Sequence, residues 1–291
     1  MIHRLVAPAK VNLGLEVVGR RSDGLHELVS ILANVDLADV VTLQPGSGLE
    51  VTGSYAPVTP LRPDEELASR ALGLLEGAAG RPLGLGVTIE KRVPLGAGLG
   101  GGSADAAAVL RAAPALGVAL EPGRASALAL QLGADVPFQL QGGAALVRGV
   151  GEQLENLPLP EAWLAMVFPG ISISTAAVFG ELRPEEWGDG RKTAAAARFL
   201  QDGGGAGALT RLPNSLLAPA LRLHPELGEA IASLRRAGWD PRMSGSGSTL
   251  FQVCFDRADA EALAVRTWDL GLRAWAVPLV AAPVPPAPPA S

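Results

Sequence analysis

One stretch of the chain gathers residues suited to holding phosphate. Pro94, Leu95, Gly96, Ala97, Gly98, Leu99, Gly100, Gly101, Gly102, Ser103 and Ala104 follow one another directly, and an alanine-rich run comes next. Five glycines among seven residues let a backbone turn tightly and approach a ligand closely. A helix opening there points its unpaired N–H groups, with their partial positive charge, back into the loop. The expected chemistry is binding of a phosphate chain, with Ser103 as helix N-cap or as a contact to phosphate or metal. The plain alternative is a glycine-rich turn before a capped helix, and five glycines are a costly way to build one. The loop is not a Walker A motif, because the chain has no Gly-Lys step. It does match GxGxxG at Gly96, Gly98 and Gly101, and Glu121 follows Gly101 by 20 residues. That spacing keeps a nicotinamide-dinucleotide dehydrogenase open. Pro114 and the short segment after it make a poor second parallel strand for such a fold, and more than 80 strand-rich residues precede the loop.

Other segments carry polar residues in chemically useful places. Along residues 10–18, Val11, Leu13, Leu15 and Val17 alternate with Lys10, Asn12, Gly14 and Glu16. This is the period of a half-buried strand, with a lysine and an asparagine on its non-core face. Asp23 and Gly24 mark a turn before His26, and Asp135 stands in Leu132-Gly133-Ala134-Asp135-Val136-Pro137. Arg242-Met243-Ser244-Gly245-Ser246-Gly247-Ser248 is a second small-residue loop. Taken singly, each has an ordinary reading. Asp135 is a turn or capping residue between helix and strand, Lys10 a solvated strand lysine, His26 a turn residue, and Phe179 a core residue at helical spacing from Thr175.

Taken together, three segments resemble the motifs of the GHMP kinase superfamily in their usual order: Ala7 to Leu15, Pro94 to Ala104, and Arg242 to Ser248. Four shorter matches, Pro8-Ala9-Lys10-Val11-Asn12-Leu13, Arg21-Ser22-Asp23-Gly24-Leu25-His26, Leu132 to Pro137, and Pro169 to Thr175, resemble one of its families, the 4-diphosphocytidyl-2-C-methyl-D-erythritol kinases. The likeness runs over about residues 7–255. It implies an α+β fold with an N-terminal ribosomal-protein-S5-like domain (1–157), a C-terminal ferredoxin-like α/β sandwich domain (158–280) and a Pro/Ala-rich tail (281–291). It also implies ATP-dependent phosphorylation, with Mg²⁺, of the 2-hydroxyl of that cytidyl substrate in non-mevalonate isoprenoid precursor biosynthesis. The family's catalytic Lys and Asp map onto Lys10 and Asp135. Residues 94–104 and Ser244, Gly245, Ser246 and Gly247 map onto the ATP site, with Ser103 a candidate metal contact. Asn12, His26, Thr175 and Phe179 map to the substrate side, Phe179 aligning with an aromatic that stacks on cytosine. Three positions depart from the pattern. Leu25 stands where the family has an aromatic, Ala104 where it has a second serine, and Glu66 where an asparagine is common. Homoserine and mevalonate kinases, other members of the superfamily, lack the Asp-Gly-x-His and Gly-Ala-Asp-Val-Pro pair in this form.

The elements that must position these residues are readable in outline. Strands are expected at 28–43, 85–93, 142–150, 163–168, 249–255 and 272–280, besides 10–18. Helices are expected at 64–79, 103–113, 122–131, 214–221, 225–237 and 257–269, and residues 183–211, with Gly203, Gly204 and Gly205, as a mobile connection. The 291 residues include 36 Gly, three His and one Cys, with a net charge of −5. One cysteine, Cys254, excludes a disulfide framework, and its apolar strand-like setting predicts an inert buried thiol. Scattered histidines argue against a histidine-based metal site. An acidic chain without a basic patch argues against nucleic acid as partner, and so against an RNA-binding module built on the S5-like half. No apolar run reaches the length of a membrane span. A cytoplasmic soluble enzyme for a small-molecule substrate follows, as monomer or homodimer.

Overall fold

Two long strands, β1 (His3–Arg20) and β2 (His26–Pro45), form an antiparallel pair around the turn at Asp23 and Gly24. The computed structural model describes residues 2–59, 62–280 and 282. The register of the pair shifts three times, at Pro8/Lys10, Asn12/Gly14 and Val17/Gly19. These irregularities bend a pair that flat pleating could not fold around a core. β2 also pairs with β4 (Leu85–Glu90) and with β5 (Ala144–Arg148), β3 (Leu49–Thr52) adds in parallel to β4, and β6 (Gln153–Asn156) closes on β5. The alternation along residues 10–18 is present, but both faces are buried. Lys10, Asn12 and Glu16 are as covered as the apolar residues between them, because loops and a helix lie over the polar face.

Four helices pack with this sheet: α1 (Leu67–Ala79), α2 (Gly101–Arg111), α3 (Pro122–Leu132) and α4 (Val136–Gln141). α2 is buried without interruption from Ala104 to Arg111. A helix enclosed on all sides needs small residues where neighbours come close, and four of those eight are alanine. α1 begins later than expected because Glu66 caps it, its carboxylate accepting from the N–H groups of Ala68 at 2.6 Å and Ser69 at 3.0 Å. α3 ends before Gly133, as expected.

The second half supplies β7 (Trp163–Val167), β8 (Arg242–Met243), β9 (Leu250–Cys254) and β10 (Ala274–Val280), all antiparallel, with α5 (Thr175–Glu181), α7 (Leu217–Leu223), α8 (Pro225–Arg236) and α9 (Arg257–Arg266) around them. Leu279 and Val280 of β10 pair with Val35 and Asn34 of β2, which joins the ten strands of the described residues into one mixed sheet. The fold is α+β. Residues 183–211 are not a mobile connection: they hold α6 (Arg191–Gln201) between two short 3₁₀ turns. Thr193 of α6 donates from its N–H at 2.9 Å and its hydroxyl at 2.7 Å to the buried Glu16 carboxylate. The glycine triplet suggests mobility, whereas this long-range anchor is invisible in local sequence. Cys254 is buried and unpaired, and burial pushes its thiol pKa up, away from the reactive thiolate. No helix among the described residues is long and apolar enough to cross a membrane. The expected tail, apart from Ala282, lies outside the described residues.

Candidate active site

The glycine loop runs from the end of β4 into α2 and is pinned on three sides. Lys10 N–H donates to Leu99 O at 2.9 Å, Ile173 N–H to Gly96 O at 3.1 Å, and Thr249 N–H to Ala97 O at 3.1 Å. β1, the segment before α5 and the loop before β9 thus converge on it. The helix opens at Gly101 with Gly100 in the N-cap place at φ +64, so Ser103 is not the N-cap. It lies in the first turn, facing the cavity. Gly98, at φ +75, meets the second small-residue loop so closely that an added Cβ would lie 2.4 Å from Ser244 O and 2.8 Å from Gly247 O. The Ser244 hydroxyl donates to Gly98 O at 3.0 Å and accepts from Asn12 N–H at 3.2 Å. Asn214 donates to the carbonyls of Met243 at 2.8 Å and Gly245 at 2.9 Å, fixing that loop from α7's side.

A cavity of about 440 Å³ opens between the two loops. Residues 94–103 line it, with Lys10, Asn12, Asp135, Thr175, Phe179, Gly245 and Ser246. Ala104, Ser244 and Gly247 stand behind this lining; Ser244 instead binds the glycine loop, and Gly247 N–H donates to Ser244 O within its own loop. Lys10 Nζ donates to Asn12 Oδ1 at 2.6 Å and lies 3.4 Å from Asp135 Oδ2. The lysine side chain is 6% exposed and the aspartate 40%, so a buried cation faces a carboxylate open to the cavity. Asp135 takes the N-cap place of α4, but its side chain caps nothing and is left for the cavity. Asn12 Nδ2 donates to Ser30 Oγ at 2.9 Å, and Ser30 Oγ to Gly14 O at 2.7 Å. Both polar atoms of Asn12 are therefore already engaged, and its visible work is to orient Lys10. The Thr175 and Ser246 hydroxyls are 2.8 Å apart and tie α5 to the second loop.

A second cavity of about 580 Å³ shares Leu28, Val150 and Phe179 with the first. His26 lines it and packs on Phe179 with ring centroids 5.2 Å apart. Burial, then the nearby Arg20 charge, lowers the His26 pKa and favours the neutral ring. Leu25 is half exposed on the same wall. Trp187 also lines this cavity, and no local signal marks it, because it lies in the segment whose composition suggests a connection.

Beside the glycine loop lies a smaller space of about 170 Å³, walled by Val51, Pro57, Leu67, Ile89 and Leu95 with Glu66, Lys91 and Asp105. Lys91 Nζ donates to Asp39 and, at 2.8 Å, to Asp105 Oδ2. Asp39 Oδ1 accepts from the N–H groups of Arg92 at 2.6 Å and Val93 at 2.8 Å, which fixes the approach to Pro94. Burial raises Asp105 to about 7, against the pull of Lys91, and its Oδ1 has no partner. Asp39 and Asp105 carry no signal in the sequence. Among the described residues no group of three or more His, Cys, Asp or Glu is arranged to hold a metal ion.

With this geometry in view, the likeness to known proteins is specific. Residues 66–143 match the GHMP kinases N terminal domain and residues 193–266 the GHMP kinases C terminal domain. The 4-diphosphocytidyl-2-C-methyl-D-erythritol kinase of Thermus thermophilus is 44% identical over 93% of this chain and 94% of its own. That of Paracoccus denitrificans is 43% identical over 90% and 91%. A crystal structure of a 4-(cytidine 5'-diphospho)-2C-methyl-D-erythritol kinase superposes with a TM-score of 0.79 at 42% identity, covering 96% of this chain and 99% of that one. A homoserine kinase from Cytophaga hutchinsonii shares the fold at a TM-score of 0.72 with 18% identity, over 98% and 96%. The chain belongs to the GHMP kinases and, within them, to the 4-diphosphocytidyl-2-C-methyl-D-erythritol kinase family.

Proposed function

We propose that this chain is an ATP-dependent kinase that phosphorylates the 2-hydroxyl of 4-diphosphocytidyl-2-C-methyl-D-erythritol, an intermediate of non-mevalonate isoprenoid biosynthesis. The observation that carries the reading is the placement of Lys10 and Asp135. They meet at 3.4 Å on the wall of a cavity whose other wall is the glycine loop, and that cavity continues into one bearing His26 and Phe179. The loop N–H groups and the opening turn of α2 take the ATP phosphates. The small apolar space beside the loop suits the nucleotide base, with Glu66 on its wall. His26 and Phe179 take the cytidyl end, which leaves the methylerythritol hydroxyls near Asp135.

Phosphoryl transfer through a loose transition state needs mainly positioning and charge stabilisation. Asp135 accepts the proton of the attacking hydroxyl as its oxygen bonds to the γ-phosphorus, and the bond to ADP breaks. Lys10 orients Asp135 and stabilises negative charge on the transferred group, while Asn12 and Ser30 hold Lys10. Mg²⁺ fits the donor set. The Ser103 hydroxyl and Asp135 carboxylate both line the cavity, and a cation that keeps several waters and binds phosphate oxygens needs no all-protein cage. Ser103 would hold it, and it would neutralise phosphate charge. We also place the division between the two halves of the chain after residue 157 and, with its lone buried thiol, the protein in the cytoplasm. The test is a phosphoryl-transfer assay with ATP in which the cytidyl substrate, homoserine and mevalonate are offered in parallel. Turnover of the cytidyl substrate alone is expected.

A further inference from the structure

The segment between α5 and α6 is anchored more firmly than a simple connection requires. Arg222 of α7 donates to Glu181 Oε1 at 3.2 Å, to Glu181 O at 2.7 Å and to Glu186 Oε2 at 2.9 Å. Gly188 N–H donates to Val17 O at 2.8 Å, and Thr193 binds the buried Glu16 carboxylate. Trp187 sits between these anchors, on the wall of the second cavity with His26 and Phe179. Its indole Nε1 is buried and has no hydrogen-bond partner. The indole packs on the apolar cluster beneath the cavity wall, so the ring meets the cavity by its apolar surface. Leu25, on the same wall, has no ring to offer. A cavity walled by an imidazole, a phenyl and an indole suits a flat heteroaromatic ring held by stacking.

We propose that Trp187 is a specificity-determining residue, the rigidly held aromatic wall against which the cytosine ring of the substrate packs. The inference rests on the reading that this cavity takes the cytidyl end. It also accounts for the anchoring of the segment, because the Arg222 clamp and the contacts to β1 deliver one large ring to the substrate.

The test uses cytidine 5'-diphosphate titrated into the full chain, with ATP titrated separately. Trp187→Ala should weaken the cytidine nucleotide by about tenfold or more, the range of one lost base–aromatic stack. Trp187→Phe, which keeps a stacking face, should lose no more than about threefold. ATP affinity should not change in either. Tryptophan fluorescence should respond to the cytidine nucleotide in the wild type and not in Trp187→Phe, a readout that decides the matter even if the alanine variant does not fold. Unchanged cytidine affinity in Trp187→Ala, equal loss of ATP and cytidine affinity, or a fluorescence response that survives Trp187→Phe would each overturn the inference. If the wild type binds ATP but no cytidine nucleotide, the reading of the cavity falls with it. If all variants bind the nucleotide alike, only the role of Trp187 falls.

Discussion

Replacing Gly98 by alanine probes the contact between the two small-residue loops. The new Cβ would stand 2.4 Å from Ser244 O and 2.8 Å from Gly247 O, both backbone atoms with no flexible end to swing away. The left-handed backbone at φ +75 adds strain of roughly 1–2 kcal/mol for any residue with a Cβ. To clear the clash the loops must separate by about 1 Å, enough to break the hydrogen bonds from Ser244 Oγ to Gly98 O and from Asn12 N–H to Ser244 Oγ. Each is worth about 0.5–1.5 kcal/mol, so the local destabilisation comes to roughly 2–5 kcal/mol. The same displacement moves the glycine loop relative to Lys10, and a misplacement of that size commonly lowers the rate by about 10²-fold. Gly77→Ala is the matched control. Gly77 is exposed on α1, nothing lies within 4 Å of its would-be Cβ, and the change should stabilise the helix by about 0.5–1 kcal/mol. Thermal unfolding and steady-state kinetics of both variants decide the point. A Gly98→Ala enzyme with wild-type Tm and kcat/KM, indistinguishable from Gly77→Ala, would refute the claim that this contact shapes the site.

Further outcomes follow from the pair at the centre of the cavity and from the buried acids. Asp135→Asn should lower kcat by about 10²–10⁴-fold, the usual contribution of a positioned base, with little change in substrate KM; near-normal turnover would remove Asp135 from proton transfer. Lys10→Ala should lower the rate by about 10²-fold while ATP affinity, measured by calorimetry, changes little; lost binding with unchanged turnover would reassign Lys10 to ground-state binding. The Asp105 carboxyl keeps its proton to about 7 in the folded chain, against 3.8 for an ordinary aspartate. Between those values the folded state binds more protons than the unfolded, so this group makes stability fall as pH rises from about 4 to 7. Asp105→Asn should flatten that part of the stability profile in denaturant titrations, and an unchanged slope would contradict the assignment.

The amino-acid sequence carries the glycine loop and its flanking elements well because local rules write them. A strand, a glycine run and an alanine-rich helix are adjacent in the chain, and β4, the loop and α2 follow that order. The β1 alternation likewise appears at the expected residues, although burial of Lys10, Asn12 and Glu16 on the polar face depends on partners up to 232 residues away. Local pattern also misleads in places. Ser103 has the side chain of an N-cap, but Gly100 takes that role because a left-handed residue admits the close approach of Lys10. α4 leaves little trace in the sequence, since six residues after a glycine and with a proline near the start give little periodicity, yet it is the element that presents Asp135. Glu66 and Arg222 show the same limit. The carboxylate cap and the clamp on Glu181 and Glu186 are made by folding, and so the anchored place of Trp187 is hidden in a stretch that composition describes as loose.

The most direct measurement of the central claim is ATP-dependent phosphoryl transfer to 4-diphosphocytidyl-2-C-methyl-D-erythritol, with homoserine and mevalonate as parallel acceptors and Asp135→Asn as the matched inactive enzyme. Turnover of the cytidyl substrate alone is expected, lost in the variant. Preference for homoserine or mevalonate, or turnover that survives Asp135→Asn, would contradict it.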